Sequence, residues 1–174
     1  MMGGDVGVES REGVGSTFWF SARLKKADHC LGKAPGRTAE TAEAVLMREH
    51  AGRRILLVDD EPINQEVARI ILEDAGLQVE LAANGREAAD MIERAAYDLV
   101  LMDMQMPVMD GLEATQHIRG MPNRTTLPIL AMTANAFAED RARCLAAGMN
   151  DFIAKPISPN QLYSLVLRWL EKSA

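Results

Sequence analysis

Cysteine is scarce in this sequence: Cys30 and Cys144 are the only two in 174 residues, in unlike contexts and without metal-ligand spacing. That pattern builds neither a disulfide framework nor a zinc site, and two reduced thiols in a cytoplasmic protein are expected. Basic charge is also short. Nineteen Lys and Arg face 25 Asp and Glu, for a net charge of −6, which argues against a general nucleic-acid binder because phosphate contacts need clustered cations. No run approaches the ~18 consecutive apolar residues of a membrane span, so no membrane contact is expected. The opening residues Met1-Met2-Gly3-Gly4-Asp5 lack the basic-then-apolar pattern of a secretion signal. Aromatics are only 5% of the chain, yet Phe18, Trp19 and Phe20 are consecutive.

What the chain does have is apolar residues, 48% of the total, enough to build a core and to make wholesale disorder an unfit description. Three segments differ in character. Residues 5–24 read as two short strands: Val6 and Val8 alternate with polar neighbours, a Gly-rich turn follows, and Thr17 to Phe20 continues. A lone hairpin is marginally stable, so residues 1–24, with their aromatics, are expected to dock on another surface or on a second chain. Residues 25–52, with Gly32, Pro35 and Gly36, read as a linker. Within it Ala39 to Glu49 is expected to be a helical connector with Val45 and Leu46 as a weak apolar patch. Residues 53–174 form the third segment.

There the pattern becomes regular. Ile55–Val58, Leu99–Met102 and Ile129–Met132 are short continuous apolar runs, as strands buried on both faces should be. Gln78–Leu81 alternates like a half-exposed edge strand, and Phe152–Ala154 makes a fifth. Helical periods lie between. Val67, Ile70 and Ile71 share a face in the first, and Leu162, Leu165, Val166, Trp169 and Leu170 share one in the last. Asn84 with Glu87, Asp110 with Glu113, and Ser158-Pro159 are helix-start signals. Five strand–helix alternations predict an α/β doubly wound parallel sheet, whose functional crevice lies at the carboxyl ends of its strands.

Those ends carry Asp59-Asp60, Asp103, Thr133 and Lys155-Pro156. Each has an ordinary explanation alone: an Asp caps the next helix, a Thr serves a turn, a Lys is solvated. Convergence in one crevice requires all of those explanations to hold together. Crowded carboxylates repel, and a hard divalent cation, magnesium for preference, relieves them while bridging to phosphate. Lys155 then suits stabilisation of phosphoryl oxygens, and a carboxylate held between metal and ammonium suits an aspartyl-phosphate nucleophile. Spacing alone leaves open which Asp is attacked. Asp103 has the central strand to itself, which favours it.

Val58-Asp59-Asp60-Glu61-Pro62, Asp103-Met104-Gln105-Met106-Pro107-Val108-Met109-Asp110-Gly111, Met132-Thr133-Ala134-Asn135-Ala136 and Lys155-Pro156 together resemble the signature set of two-component receiver domains. The resemblance runs from about Arg53 onward and implies a flavodoxin-like (βα)5 fold with strand order 2-1-3-4-5. It implies Asp103 as phosphoacceptor, and Asp59, Asp60, Asp103 and the Gln105 carbonyl around Mg2+. Lys155 would contact the phosphoryl group and Thr133 would move toward it. Phe152 holds the aromatic switch position, although plain core packing explains it equally well. Gln105 and Asn135 would tune phosphoryl lifetime, and Lys155-Pro156 would be cis.

Met2 to Ser10 with Gly13 to Phe20 resembles the closing hairpin of a histidine-kinase ATP-binding domain. The Asn- and Gly-rich ATP motifs of that family are missing from this chain, so the expected whole is the C-terminal part of a hybrid sensor histidine kinase, with a stand-alone regulator as the alternative. His29, His50 and His117 resemble no phosphorylation motif and are expected to be incidental surface residues. The phosphoryl donor is then a kinase core in cis or trans, and readout is expected through a histidine phosphotransfer protein, since no length for a helix-turn-helix follows Lys155-Pro156 and its helix. An Asp-nucleophile hydrolase would want a second Asp at position 105, where Gln stands. A nucleotide-binding domain would want a Gly-rich loop after the first strand, where Asp59-Asp60-Glu61 repels phosphate. A degenerate scaffold would not keep the acidic set.

Overall fold

A computed structural model describes residues 6–11, 15–21, 40–134 and 138–172, and the chain divides into two compact units, Met1–Thr38 and Ala39–Ala174. His29, Cys30 and Asn135 lie outside the described residues.

In the first unit β1 (Val6–Arg11) pairs antiparallel with β2 (Gly15–Phe20), Val6 opposite Phe20 and Gly7 opposite Trp19. The Trp19 indole lies across Gly7, where an added Cβ would come within 2.5 Å of the ring. Hydrogen at Gly7 is therefore what lets the aromatic cover the neighbouring strand. Trp19 nevertheless remains 46% exposed and Val8 56% exposed.

The second unit opens with α1 (Ala42–Glu49), whose start is capped by Thr41 Oγ1 accepting from the Ala44 N–H. Then come β3 (Arg54–Val58), α2 (Pro62–Asp74), β4 (Gln78–Ala82), α3 (Gly85–Arg94), β5 (Leu99–Asp103), α4 (Gly111–Arg119), β6 (Ile129–Thr133), α5 (Ala138–Ala147), β7 (Asp151–Ala154) and α6 (Pro159–Lys172). All five strands pair parallel in the order β4-β3-β5-β6-β7, which is the expected 2-1-3-4-5 order. β4 and β7 are the edges and the three continuous apolar runs are central, as buried parallel strands require. The expected caps form: Asn84 Oδ1 accepts from the Glu87 N–H and Asp110 Oδ1 from the Glu113 N–H.

Because strand side chains alternate, each central strand feeds two cores. Ile55, Leu57, Leu99, Leu101, Leu130 and Met132 face α2 and α6. Leu56, Val58, Val100, Met102, Ile129 and Ala131 face α3, α4 and α5. α2 departs from the expected face. Ala68 and Leu72 are buried and Ile71 partly so, whereas Val67 and Ile70 are about half exposed and Ile63 more so. The cause is Gln65, whose Nε2 donates to the carbonyls of Asp59 and Ala82. That anchor turns positions 65, 68 and 72 toward the sheet, because residues three and four apart share a helix face.

The start of the compact unit also differs. α1 is no free connector: Leu46 is fully buried in the α2–α6 core beside residues such as Leu170, so that unit begins at Ala39 rather than Arg53. His50, which ends α1, is buried rather than at the surface, and its Nδ1 has no hydrogen-bond partner among the described residues. His117 is exposed on α4 as expected.

Leu46→Ala should lower unfolding free energy by about 2–4 kcal/mol, as for other fully buried leucines. A chain trimmed to begin at Arg53 should unfold at lower urea than one beginning at Ala39. Equal midpoints for the two trimmed chains would show α1 to be dispensable.

Candidate functional site

Four strands deliver polar groups to one edge. β3 ends at Val58 and is followed by Asp59 and Asp60, β5 ends on Asp103, β6 on Thr133, and Lys155 follows β7. The depth of each strand is fixed by its ladder: the Met104 N–H donates to the Met132 carbonyl at 3.1 Å and the Lys155 N–H to the Thr133 carbonyl at 2.7 Å. The backbone thus sets the lysine level with the end of β5.

Asp59, Asp60 and Asp103 each present a carboxylate oxygen within 4.8 Å of the others. Asp59 and Asp103 are buried and Asp60 is exposed. The Lys155 ammonium bridges the buried pair, donating to Asp59 Oδ2 and Asp103 Oδ2 at 2.7 Å each. Asp59 is further held through Oδ1, which accepts from the Glu61 N–H at 2.9 Å and from Asn64 Nδ2 at 3.4 Å. Two carboxylates at this depth are tolerable only with such compensation. Burial pushes the Asp103 carboxyl above its ordinary range and Asp59 adds to the push, while Lys155 and the Gln105 N–H pull the other way without cancelling it. Burial would lower the Lys155 ammonium, but its hydrogen bonds to Asp103 and Asp59 outweigh that and raise it. Lys155 therefore stays charged at neutral pH.

An all-oxygen set of three carboxylates suits a hard divalent cation. The set is open toward solvent on the Asp60 side and closed on the other by Lys155. The adjoining cleft, of roughly 560 Å³, is lined by Asp103, Gln105, Asp110, Thr133, Lys155 and Arg143 among others. Gln105 is exposed on its rim and Thr133 is buried at its floor. Phe152 stands apart: it is half-buried against the α3–α5 core, with the Arg141 guanidinium 5.4 Å from its ring centroid. The Lys155-Pro156 bond is cis, as the resemblance implies.

Gly111 sits in the quoted motif for a steric reason. A Cβ there would come within 2.1 Å of the Asp103 carbonyl oxygen, so only glycine lets α4 start directly against the acceptor strand. Sequence reasoning missed Asn64 and Gln65, which hold Asp59 from the first turns of α2, and Arg143 on the cleft wall. A signal existed for Gln65 alone: a polar residue in helical step with Ala68 and Leu72.

Residues 55–167 match the response regulator receiver domain family. The sensor protein GacS of Pseudomonas syringae is 44% identical over 119 residues, which are 67% of this chain and 13% of that protein. Hybrid signal transduction histidine kinase K of Dictyostelium discoideum is 34% identical over 183 residues, covering 95% of this chain and 14% of its own length. The chain thus spans about a seventh of these relatives. Among solved structures, the receiver domain of sensor histidine kinase PA1611 from Pseudomonas aeruginosa, which has a magnesium ion coordinated in its active site cleft, is 46% identical. It superposes with a TM-score of 0.66 over 70% of this chain and 99% of that one. The receiver domain of Ssk1 from Saccharomyces cerevisiae, co-crystallised with the histidine phosphotransfer protein Ypd1, is 28% identical with a TM-score of 0.67, over 71% and 92% of the two chains. With the family match running over most of its length and relatives this similar, the chain belongs to the response regulator receiver domains.

Proposed function

We propose that this chain is the receiver of a phosphorelay, taking a phosphoryl group from a phosphohistidine onto Asp103. The observation that carries the reading is the single ammonium of Lys155 held 2.7 Å from both Asp59 and Asp103 beside the exposed carboxylate of Asp60. In this reading an Asp103 carboxylate oxygen attacks phosphorus, the P–N bond to the donor imidazole breaks, and the imidazole nitrogen keeps the electron pair. Asp60, Asp59, Asp103 and the Gln105 carbonyl are the residues that would hold Mg2+, which when bound supplies positive charge against the phosphoryl oxygens. Lys155 supplies the second charge, already oriented by its two carboxylates.

Thr133 and Phe152 carry the response. Thr133 lies at the cleft floor and shares β6 with the ladder that holds Lys155, so a new anion on Asp103 attracts its hydroxyl toward the acceptor. That bias shifts the population of α5 and the half-buried Phe152 ring between two arrangements. For the donor, α2 offers the apolar residues Ile63, Val67 and Ile70 beside Asp60, next to a pocket of roughly 150 Å³ that Val67, Ala68, Lys155, Pro156 and Ile157 help to line. An amphipathic helix bearing the phosphohistidine fits such a stripe, whether from a kinase core or from a phosphotransfer protein.

Residues 1–24 fit the closing hairpin of a kinase ATP-binding domain, residues 25–52 the joint, whose helix α1 packs into the receiver core, and residues 53–174 the receiver, so the parent is a hybrid sensor histidine kinase. The alignment of 95% of this chain with a hybrid kinase supports this organisation. No helix among the described residues is long and apolar enough to cross a membrane, and the receiver works in the cytoplasm, where phosphohistidine donors are made.

With Mg2+ and a small acyl phosphate, intact-mass measurement should find one added phosphoryl group on the wild type and none on Asp103→Asn. Equal labelling of both would remove Asp103 from its role. Beryllofluoride should alter amide exchange at Thr133 and in α5, and an unchanged pattern there would count against the switch. A further check uses the raised pKa of Asp103. The charged form costs the folded state stability above the raised value, and the cost fades as pH falls through it toward the ordinary carboxylate range. Metal-free Asp103→Asn should therefore melt above the wild type at neutral pH, with the gap closing in acid. A constant gap across pH would mean the carboxylate is not under this strain.

A further inference from the structure

Two cations line the cleft over Asp103, and they are placed for different tasks. Lys155 has three donors, and two of them are engaged by Asp59 and Asp103. An incoming phosphoryl group brings three oxygens, more than one remaining ammonium hydrogen can meet. Arg143 stands on the α5 wall of the same cleft with a five-donor planar fork. Its position is secured from beneath. The next residue, Cys144, is buried with its thiol 3.3 Å from the Met104 thioether, and Met104 directly follows Asp103. α5 is therefore seated against the loop that leaves the acceptor strand, with its exposed Arg143 at the mouth. Met104, Met106 and Leu112 form the apolar part of the lining, which thins the local water and strengthens a charge contact there.

We infer that Arg143 is a phosphodonor-binding residue: it pairs with the anionic oxygens of a small acyl phosphate entering the cleft. The inference rests on Asp103 being the phosphoacceptor. In the step itself an Asp103 oxygen forms the new bond to phosphorus while the bond from phosphorus to the acyl oxygen breaks. The acyl carboxylate leaves with the electron pair, no proton is needed, and Arg143 keeps its charge throughout. Its contribution is to donor affinity rather than to the chemical step, so it acts on the donor concentration at half-maximal rate.

The test is the labelling rate of the full chain with Mg2+ against acetyl phosphate concentration, for wild type, Arg143→Gln and Arg143→Lys, at low and at high salt. Arg143→Gln should raise the half-saturating concentration about fivefold at low salt, the size of an exposed charge contact, with little change in the maximal rate. Arg143→Lys should recover most of that loss, and high salt should close the gap because an exposed contact is screened. A merely structural role would give neither the lysine rescue nor the salt dependence. If the wild type is labelled and Arg143→Gln shows the same concentration dependence at low salt, the inference is overturned and the phosphoacceptor reading stands. If the wild type itself takes no label, both fall together.

Discussion

Repulsion among three carboxylates confined within 4.8 Å, relieved by one shared ammonium, is the constraint around which this domain is built. Two of those carboxylates are buried, and ions in such surroundings are stable only when their remaining lone pairs are met. The surrounding structure supplies that. Glu61 and Asn64 donate to Asp59, the Gln105 N–H favours the Asp103 anion, and the β6–β7 ladder brings Lys155 to the right level. Even so, burial leaves the Asp103 carboxyl with a raised affinity for protons. A group held in that condition gains from a further positive charge, and this is the condition a metal-assisted nucleophile needs.

The parallel sheet is what makes such convergence available. Five parallel strands deliver all their carboxyl ends to one edge, and two apolar cores on opposite faces hold them in register. Close backbone approach matters as much as charge. Gly111 lets α4 begin against the Asp103 carbonyl, and the Cys144–Met104 contact seats α5 beside the same loop. The elements most able to report a change at Asp103 are those that touch its loop.

At the far side of the domain, α1 extends the α2–α6 core through Leu46, with Gly76 packed close against Met47 and Ala51. Chain that leads into the receiver is thereby part of its hydrophobic interior. The compact unit accordingly begins at Ala39, with α1 included.

The strands and helices, the placement of Asp59, Asp60, Asp103, Thr133 and Lys155 at one edge, and the capped starts of α3 and α4 were legible in the sequence, because short apolar runs, helical periods and cap residues are local signals, whereas strand order came from the family resemblance. Three features were not. The rotation of α2 depends on Gln65 reaching the carbonyls of Asp59 and of Ala82 on β4, a tertiary match that periodicity of Val67, Ile70 and Ile71 could not reveal. The burial of Leu46 depends on α6, which lies more than a hundred residues later, so a weak local patch became core only through its partner. The division of labour between a buried Asp59, an exposed Asp60 and a bridging Lys155 depends on side-chain depth in the assembled edge, which no spacing along the chain encodes. The sequence by itself therefore determined which chemical groups meet at one end of the sheet. Tertiary structure decided how deeply each is buried and which cation answers which anion, because desolvation and ion pairing are properties of the packed arrangement rather than of the residues in line.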